Sequence, residues 1–268
     1  MCRFENSGND RAYTYGVARR MSLADRSGTT AQCAVACEHG RAETGCHDCK
    51  VRLVSVCAAL TCEELDELEA LSRPIVLTPR QALFWQGDDA EAVYNVTDGM
   101  VRLSRLLPDG RRHVMGFAMV GDFLGLALPE SHTVTAEALT PTTLCRFNKD
   151  AFAVLVGRKP HLLQRLYERA GSELTLAQEH MTLLSRRTAE ERVAGFLLSL
   201  HDRYARIGQS SVTVALPMGR QDIADHLGLT IETVSRLLTR LEREKALLIV
   251  PGGVRLVDVA RLGALAVV

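Results

Sequence analysis

The stretch from Gly219 to Glu242 constrains most tightly what this chain can become. In "RQDIADHLG", Ile223, Ala224 and Leu227 share one helical face, and Gly228 follows where a left-handed residue closes a helix cheaply. Thr230 is placed to cap a second helix, whose Val234, Leu237, Leu238 and Leu241 form an inner face. Ala224 is small where two helices must cross closely. Two such helices meeting steeply through a tight turn make a helix-turn-helix. Glu232, Ser235, Arg236 and Thr239 then fall together on the outer face. Arginine can bond guanine O6 and N7, and glutamate can accept from cytosine N4. Double-stranded DNA is therefore the expected partner, with Glu232, Ser235 and Arg236 reading base edges.

The flanks extend the motif. "TAEERVAGFLLSLHDRY" reads as an amphipathic helix, "SVTVALP" as a short strand and "PGGVRLVDV" as a hairpin, which gives a winged domain over residues 186–268. That domain holds twelve Lys and Arg against nine Asp and Glu, a surplus of three that suits phosphate contacts. The whole chain balances 32 basic against 32 acidic residues, which argues against a protein that coats polyanions. Its 268 residues suffice for two modest domains and a linker.

Upstream, Leu163, Tyr167, Ala170, Leu174, Ala177, Met181 and Leu184 recur at alternating spacings of four and three. This narrow a/d seam fits a partner helix, so residues 158–185 are expected to form the dimerisation helix of a homodimer. Gly171 lowers its helix propensity by roughly 1 kcal/mol relative to Ala, which makes the dimer marginal and easy to switch. Before it, over residues 63–157, a helix opened by Thr61 and Glu64 precedes short β-type runs between turn signals. Val101 and Leu103 alternate with Arg102 and Ser104 as in a half-buried strand, and Pro108-Asp109-Gly110 supplies a turn. The fold class is α+β: an N-terminal antiparallel β-roll (jelly-roll) sensor domain, a long dimerisation helix and a C-terminal winged helix-turn-helix.

Of eight cysteines, Cys33, Cys37, Cys46, Cys49, Cys57 and Cys62 crowd into residues 33–62, while residues 1–32 read as a disordered extension. No apolar run is long enough for a membrane span, and the N-terminus has no secretory core, so a cytoplasmic protein with reduced thiols is expected. Clustered thiols in such a chain point to metal or redox chemistry rather than a disulfide framework. Cys46 and Cys49, with Cys57 and the distant Cys145, could serve an iron–sulfur cluster or zinc. Cys33 and Cys37 form a rival pair, and His39 and His47 are further zinc candidates. Cys2 and Cys62 read as structural, Cys62 because it opens a capped helix.

A β-roll, a long helix and a winged helix-turn-helix in that order resemble the Crp–Fnr family of transcription regulators over about residues 46–268. "TAEERVAGFLLSL" and "GRQDIADHLGLTIETVSRLLTRLE" are similar to the Fnr-like branch, whose E-x-x-S-R motif falls on Glu232, Ser235 and Arg236. The resemblance implies phosphate contacts at Arg220 and Gln221, with Thr230 beside them. It also implies an interaction with RNA polymerase. Ile231 stands where the cAMP-binding branch has arginine, which implies a TTGAT-type half-site. "GDFLGLALPESHTVTAEAL" has Asp122 but no arginine to hold a cyclic phosphate. "GCHDC" and "TTLCRF" resemble the branch's ligand layout, which implies a 4Fe-4S cluster on Cys46, Cys49, Cys57 and Cys145 and an oxygen-responsive regulator. The alternative is a constitutive or thiol- or zinc-dependent regulator without gas sensing.

Overall fold

The computed structural model describes residues 45–126, 130–186 and 188–267. The expected extension 1–32, together with Cys33, Cys37 and His39, lies outside these residues. The described chain begins with three short 3-10 turns, Cys46–Asp48, Arg52–Val54 and Val56–Ala59. Helix α1 (Cys62–Leu71) follows, and Thr61 and Glu64 cap it reciprocally as their spacing predicts. It buries Leu65 and Leu68.

Eight strands build the roll: β1 (Ser72–Leu77), β2 (Ala82–Phe84), β3 (Ala92–Asp98), β4 (Met100–Leu106), β5 (Arg112–Met119), β6 (Phe123–Leu124), β7 (Thr135–Ala138) and β8 (Thr142–Asn148). They form two antiparallel sheets, ordered β1-β8-β3-β6 and β2-β7-β4-β5. Val96, Val101, Ala118 and Leu144 fill the space between them. Gly110, with φ of 82°, turns β4 into β5 where Pro108-Asp109-Gly110 predicts it.

Helix α2 (Lys149–Arg158), which the sequence reading does not single out, is capped by Asn148 and leads into α3 (Pro160–Arg186). On α3, Leu162 and Leu166 are buried against the outer face of the first sheet. The expected seam lies on the other side: Leu163, Tyr167, Leu174 and Met181 are 54–80% exposed, and Ala170 and Ala177 are exposed with them. Leu184, the last seam position, is only half-exposed and approaches the turn at Gly228.

The C-terminal part comprises α4 (Ala189–Arg206), β9 (Thr213–Ala215), α5 (Arg220–Leu227), α6 (Ile231–Arg243), β10 (Leu247–Val250), β11 (Gly253–Leu256) and α7 (Val259–Val267). The three strands pair as β10-β11-β9 to make the wing. Its core is continuous with the roll: Met100, Val114, Phe117 and Met119 of β4 and β5 join Phe196, Ile223, Leu227 and Val234 in one cluster.

That contact corrects one sequence expectation. Arg102 is not on a solvated strand face; it is 9% exposed and pairs with Glu137 and with Asp222 of α5. Arg112 on β5 binds Asp222 and Asp225 at 2.8 and 2.7 Å. Outward from the roll means inward to the C-terminal domain, so the polar positions of β4 meet carboxylates rather than water. A second junction centres on Asp122, whose carboxylate accepts from the Met119 N–H, Arg169 of α3 and Arg203 of α4.

Candidate metal centre and nucleic-acid interface

Cys46, Cys49, Cys57 and Cys145 are the free thiols among the described residues. The 3-10 turns carry the first three toward the outer face of the first sheet. Cys145 sits in the middle of β8, between Pro74 of β1 and Asn95 of β3. Cys57 is buried in the cluster of Leu65, Phe147, Phe152 and Leu162, and Cys46 and Cys145 border it. α1 holds the loop in place: the Glu69 carboxylate accepts the Cys46 N–H at 2.9 Å, and His47 Nε2 lies 2.8 Å from Asp66. Ser55 accepts the Cys57 N–H at 3.2 Å.

The electrostatics bind the four into one group. Burial pushes the Cys46 thiol up to about 12, with Cys57, Cys145, Glu69 and Cys49 adding repulsion. Cys57 is raised to about 11, again by burial and then by Cys49 and Cys145, against the bond from Ser55. Cys145 is raised by burial and by Cys49, while Ser72 works the other way. Such thiols stay neutral unless a cation compensates the charge of their thiolates. His47, Asp66 and Glu69 also place ligand atoms within 4.8 Å of one another, but the carboxylates are already engaged by His47 and the Cys46 amide. Cys62, the first residue of α1, is disulfide-bonded and so is not one of the free thiols, which corrects the expectation that every thiol here is reduced.

The helix-turn-helix follows the sequence closely. Gly228 closes α5 at φ 62° and ψ 39°, the left-handed cap its position predicts. Thr230 caps α6 by accepting the Thr233 N–H at 3.2 Å. Val234, Leu238 and Leu241 are buried, and Glu232 and Arg236 are exposed with Ser235 partly so. Arg220 and Gln221 are exposed at the start of α5, although the Gln221 amide donates to Asp225 at 2.6 Å. Behind them, His226 is nearly enclosed: Nδ1 lies 3.0 Å from the Val114 carbonyl, and the ring stacks on His180 of α3 at 4.3 Å. Burial drives His226 down to about 4, with His180, His113 and Arg203 adding to the effect. No sequence signal marks this histidine, because the strand it packs on lies over a hundred residues away.

A cavity of about 420 Å³ opens between the roll and α3. Among its described lining residues the one arginine is Arg169, which is held by Asp122, and Glu173 lines the same space.

Residues 74–159 match the family model of the cyclic nucleotide-binding domain, and residues 191–265 match the Crp-like helix-turn-helix domain. The chain is 47% identical over 230 residues to the transcriptional activatory protein AadR of Rhodopseudomonas palustris, covering 86% of this chain and 95% of AadR. It is 33% identical over 205 residues to the fumarate and nitrate reduction regulatory protein of Yersinia pestis, covering 75% and 82%. The crystal structure of FixK2 from Bradyrhizobium japonicum superposes with a TM-score of 0.69 at 35% identity, covering 74% of this chain and 98% of FixK2. Its relatives are transcription regulators, several of them activators, and not enzymes. Among the described residues no helix is long and apolar enough to cross a membrane. The chain belongs to the Crp–Fnr family of DNA-binding transcription regulators, in its Fnr-like branch.

Proposed function

We propose that this protein is an oxygen-responsive transcriptional activator. In this reading Cys46, Cys49, Cys57 and Cys145 hold a 4Fe-4S cluster, and the homodimer binds a palindromic TTGAT-type site and engages RNA polymerase. The observation that carries it is the gathering of Cys46, Cys57 and Cys145, from a loop and a distant strand, onto one apolar cluster, with Cys49 close enough to repel all three. The donor set fits: four mutually repelling thiols in an apolar setting suit a cationic, all-sulfur-ligated centre. A bound iron–sulfur cluster supplies sensitivity to oxygen at this cradle.

The chain's own residues carry the consequence. Glu69 and Asp66 fix the Cys46–Cys49 loop, and Cys57 packs with Leu162 and Leu166 on the inner face of α3. Order in the loop therefore bears on the helix whose other face presents the seam. The loop also rests on the Asp122 junction, since Val54 lies against Gly121. Asp122 passes that contact to α3 through Arg169 and to the DNA-binding domain through Arg203. Arg220, Gln221 and Thr230 contact phosphates in this reading, and Glu232, Ser235 and Arg236 read bases.

Anaerobic purification with iron, sulfide and zinc analysis, a visible spectrum, and gel shift and sedimentation before and after air tests this reading. A brown dimer that loses DNA affinity with its iron supports it. Serine at Cys46, Cys49, Cys57 or Cys145 should mimic air, and serine at Cys2 or Cys62 should not. A colourless zinc protein that binds DNA in air overturns it in favour of constitutive, thiol- or zinc-dependent binding.

A further inference from the structure

Asn95 occupies the middle of β3, opposite Cys145 on β8 and Phe123 on β6. It is 1% exposed, and its Oδ1 has no hydrogen-bond partner. Strand alternation assigns its face. Tyr94 and Val96 point into the core between the sheets, whereas Val93 packs in the outer cluster with Cys57, Phe147 and Leu162. Asn95 therefore shares a side with Val93, Cys145 and Phe147, which is the side of the thiol cradle. Val93, Phe123 and Phe147, its neighbours on that face, carry no side-chain donor for this oxygen. A buried polar atom left without a partner is costly and demands a reason.

The two ends of an asparagine amide have nearly the same shape, so the side chain can present either its oxygen or its two N–H donors to that face. A neutral thiol is a poor acceptor, but a metal-bound thiolate is a good one. We propose that Asn95 is a positioning residue of the metal centre, donating a side-chain N–H to the Cys145 sulfur once that sulfur is a metal-bound thiolate. The inference rests on the reading of the cradle as a metal site. Hydrogen bonds to ligand sulfurs stabilise the thiolate charge and tune the metal, so this amide favours the loaded state over the empty one.

The test uses Asn95→Val and Asn95→Thr in the full chain. The two replacements have nearly the same shape, but only threonine retains a donor. The metal-free proteins are melted first, and cobalt(II) is then titrated under anaerobic conditions with the sulfur-to-cobalt charge-transfer band as readout. Asn95→Val should melt at or above the wild-type temperature, yet bind cobalt about tenfold more weakly, with its band shifted to lower energy. Asn95→Thr should recover most of the affinity and the band position. Equal cobalt affinity and band position in wild type and Asn95→Val, or identical losses in both variants, overturns the proposal. Reconstitution with iron and sulfide separates the two readings. A wild-type protein that binds cobalt but takes up no cluster refutes the oxygen-sensing function, while the cobalt comparison still decides the role of Asn95. Failure to bind either metal refutes both.

Discussion

Replacing Asp122 by asparagine removes one charge and leaves two guanidinium groups facing a neutral amide. The carboxylate side chain is 13% exposed, with Arg169 at 32% and Arg203 at 24%. Removing one partner of a fully buried ion pair costs about 3–5 kcal/mol, and the partial exposure of both arginines brings the expectation down to about 2–3 kcal/mol. Glu173 softens the loss. It lies 3.8 Å from Arg169, and its carboxyl is held above the usual range by burial and by Asp122, so removing Asp122's charge lets it ionise more readily. Asparagine can still accept the Met119 N–H; alanine cannot, so Asp122→Ala should cost roughly 1 kcal/mol more. Urea unfolding followed by fluorescence of Trp85, the single tryptophan, reports on the roll. The informative comparison is a cycle with Arg203→Met. That change should destabilise the wild-type protein but be nearly neutral in the Asp122→Asn background, where it removes an unpaired charge. An equal cost in both backgrounds, or an Asp122→Asn protein that unfolds like wild type, would refute the reasoning.

Other expectations follow from the same geometry. Arg236→Ala should weaken specific DNA binding by roughly 1–3 kcal/mol and relax preference at one G·C pair, whereas Arg220→Ala should weaken all sequences alike; competition gel shifts with mutated sites distinguish them. Ala177→Asp should leave the unfolding of a single chain unchanged, since Ala177 is exposed there, but place like charges across the seam and yield a monomer in sedimentation; an intact dimer would remove this helix from the interface. His226, held at about 4 against an unfolded value near 6.5, lets the unfolded chain bind more protons in that window. Its contribution to stability is complete above pH 6.5 and should fall by up to about 3 kcal/mol as the pH drops toward 4. His226→Gln should flatten that dependence in denaturation curves recorded from pH 7 to pH 4, with His180, which shifts the same way, leaving a residual slope.

The features legible in the sequence are those fixed by local chemistry. Thr61 with Glu64, the left-handed Gly228 and the Thr230 cap each specify their own geometry within a few residues. Cys145 could be grouped with Cys46, Cys49 and Cys57 through family resemblance, because nothing in its own strand distinguishes it from a core thiol. What stayed hidden depends on which surface covers which. Period-two alternation puts Arg102 outside the roll, but only the fold shows that α5 lies there with Asp222. Asn95 reads as an ordinary polar strand residue until β8 is laid beside it.

The fused core of Met100, Val114, Phe117, Ile223 and Leu227 bears on how such a regulator can be rebuilt. A fragment cut at Thr188 would carry Asp222, Asp225 and His226 into water without the arginines and the carbonyl that now satisfy them. Grafting this DNA-binding half onto a different sensor would need the outward face of β4 and β5 to travel with it. New target sites are reached more cheaply by changing exposed positions such as Glu232 and Arg236, so modular exchange gives way to surface editing as the route to new specificity.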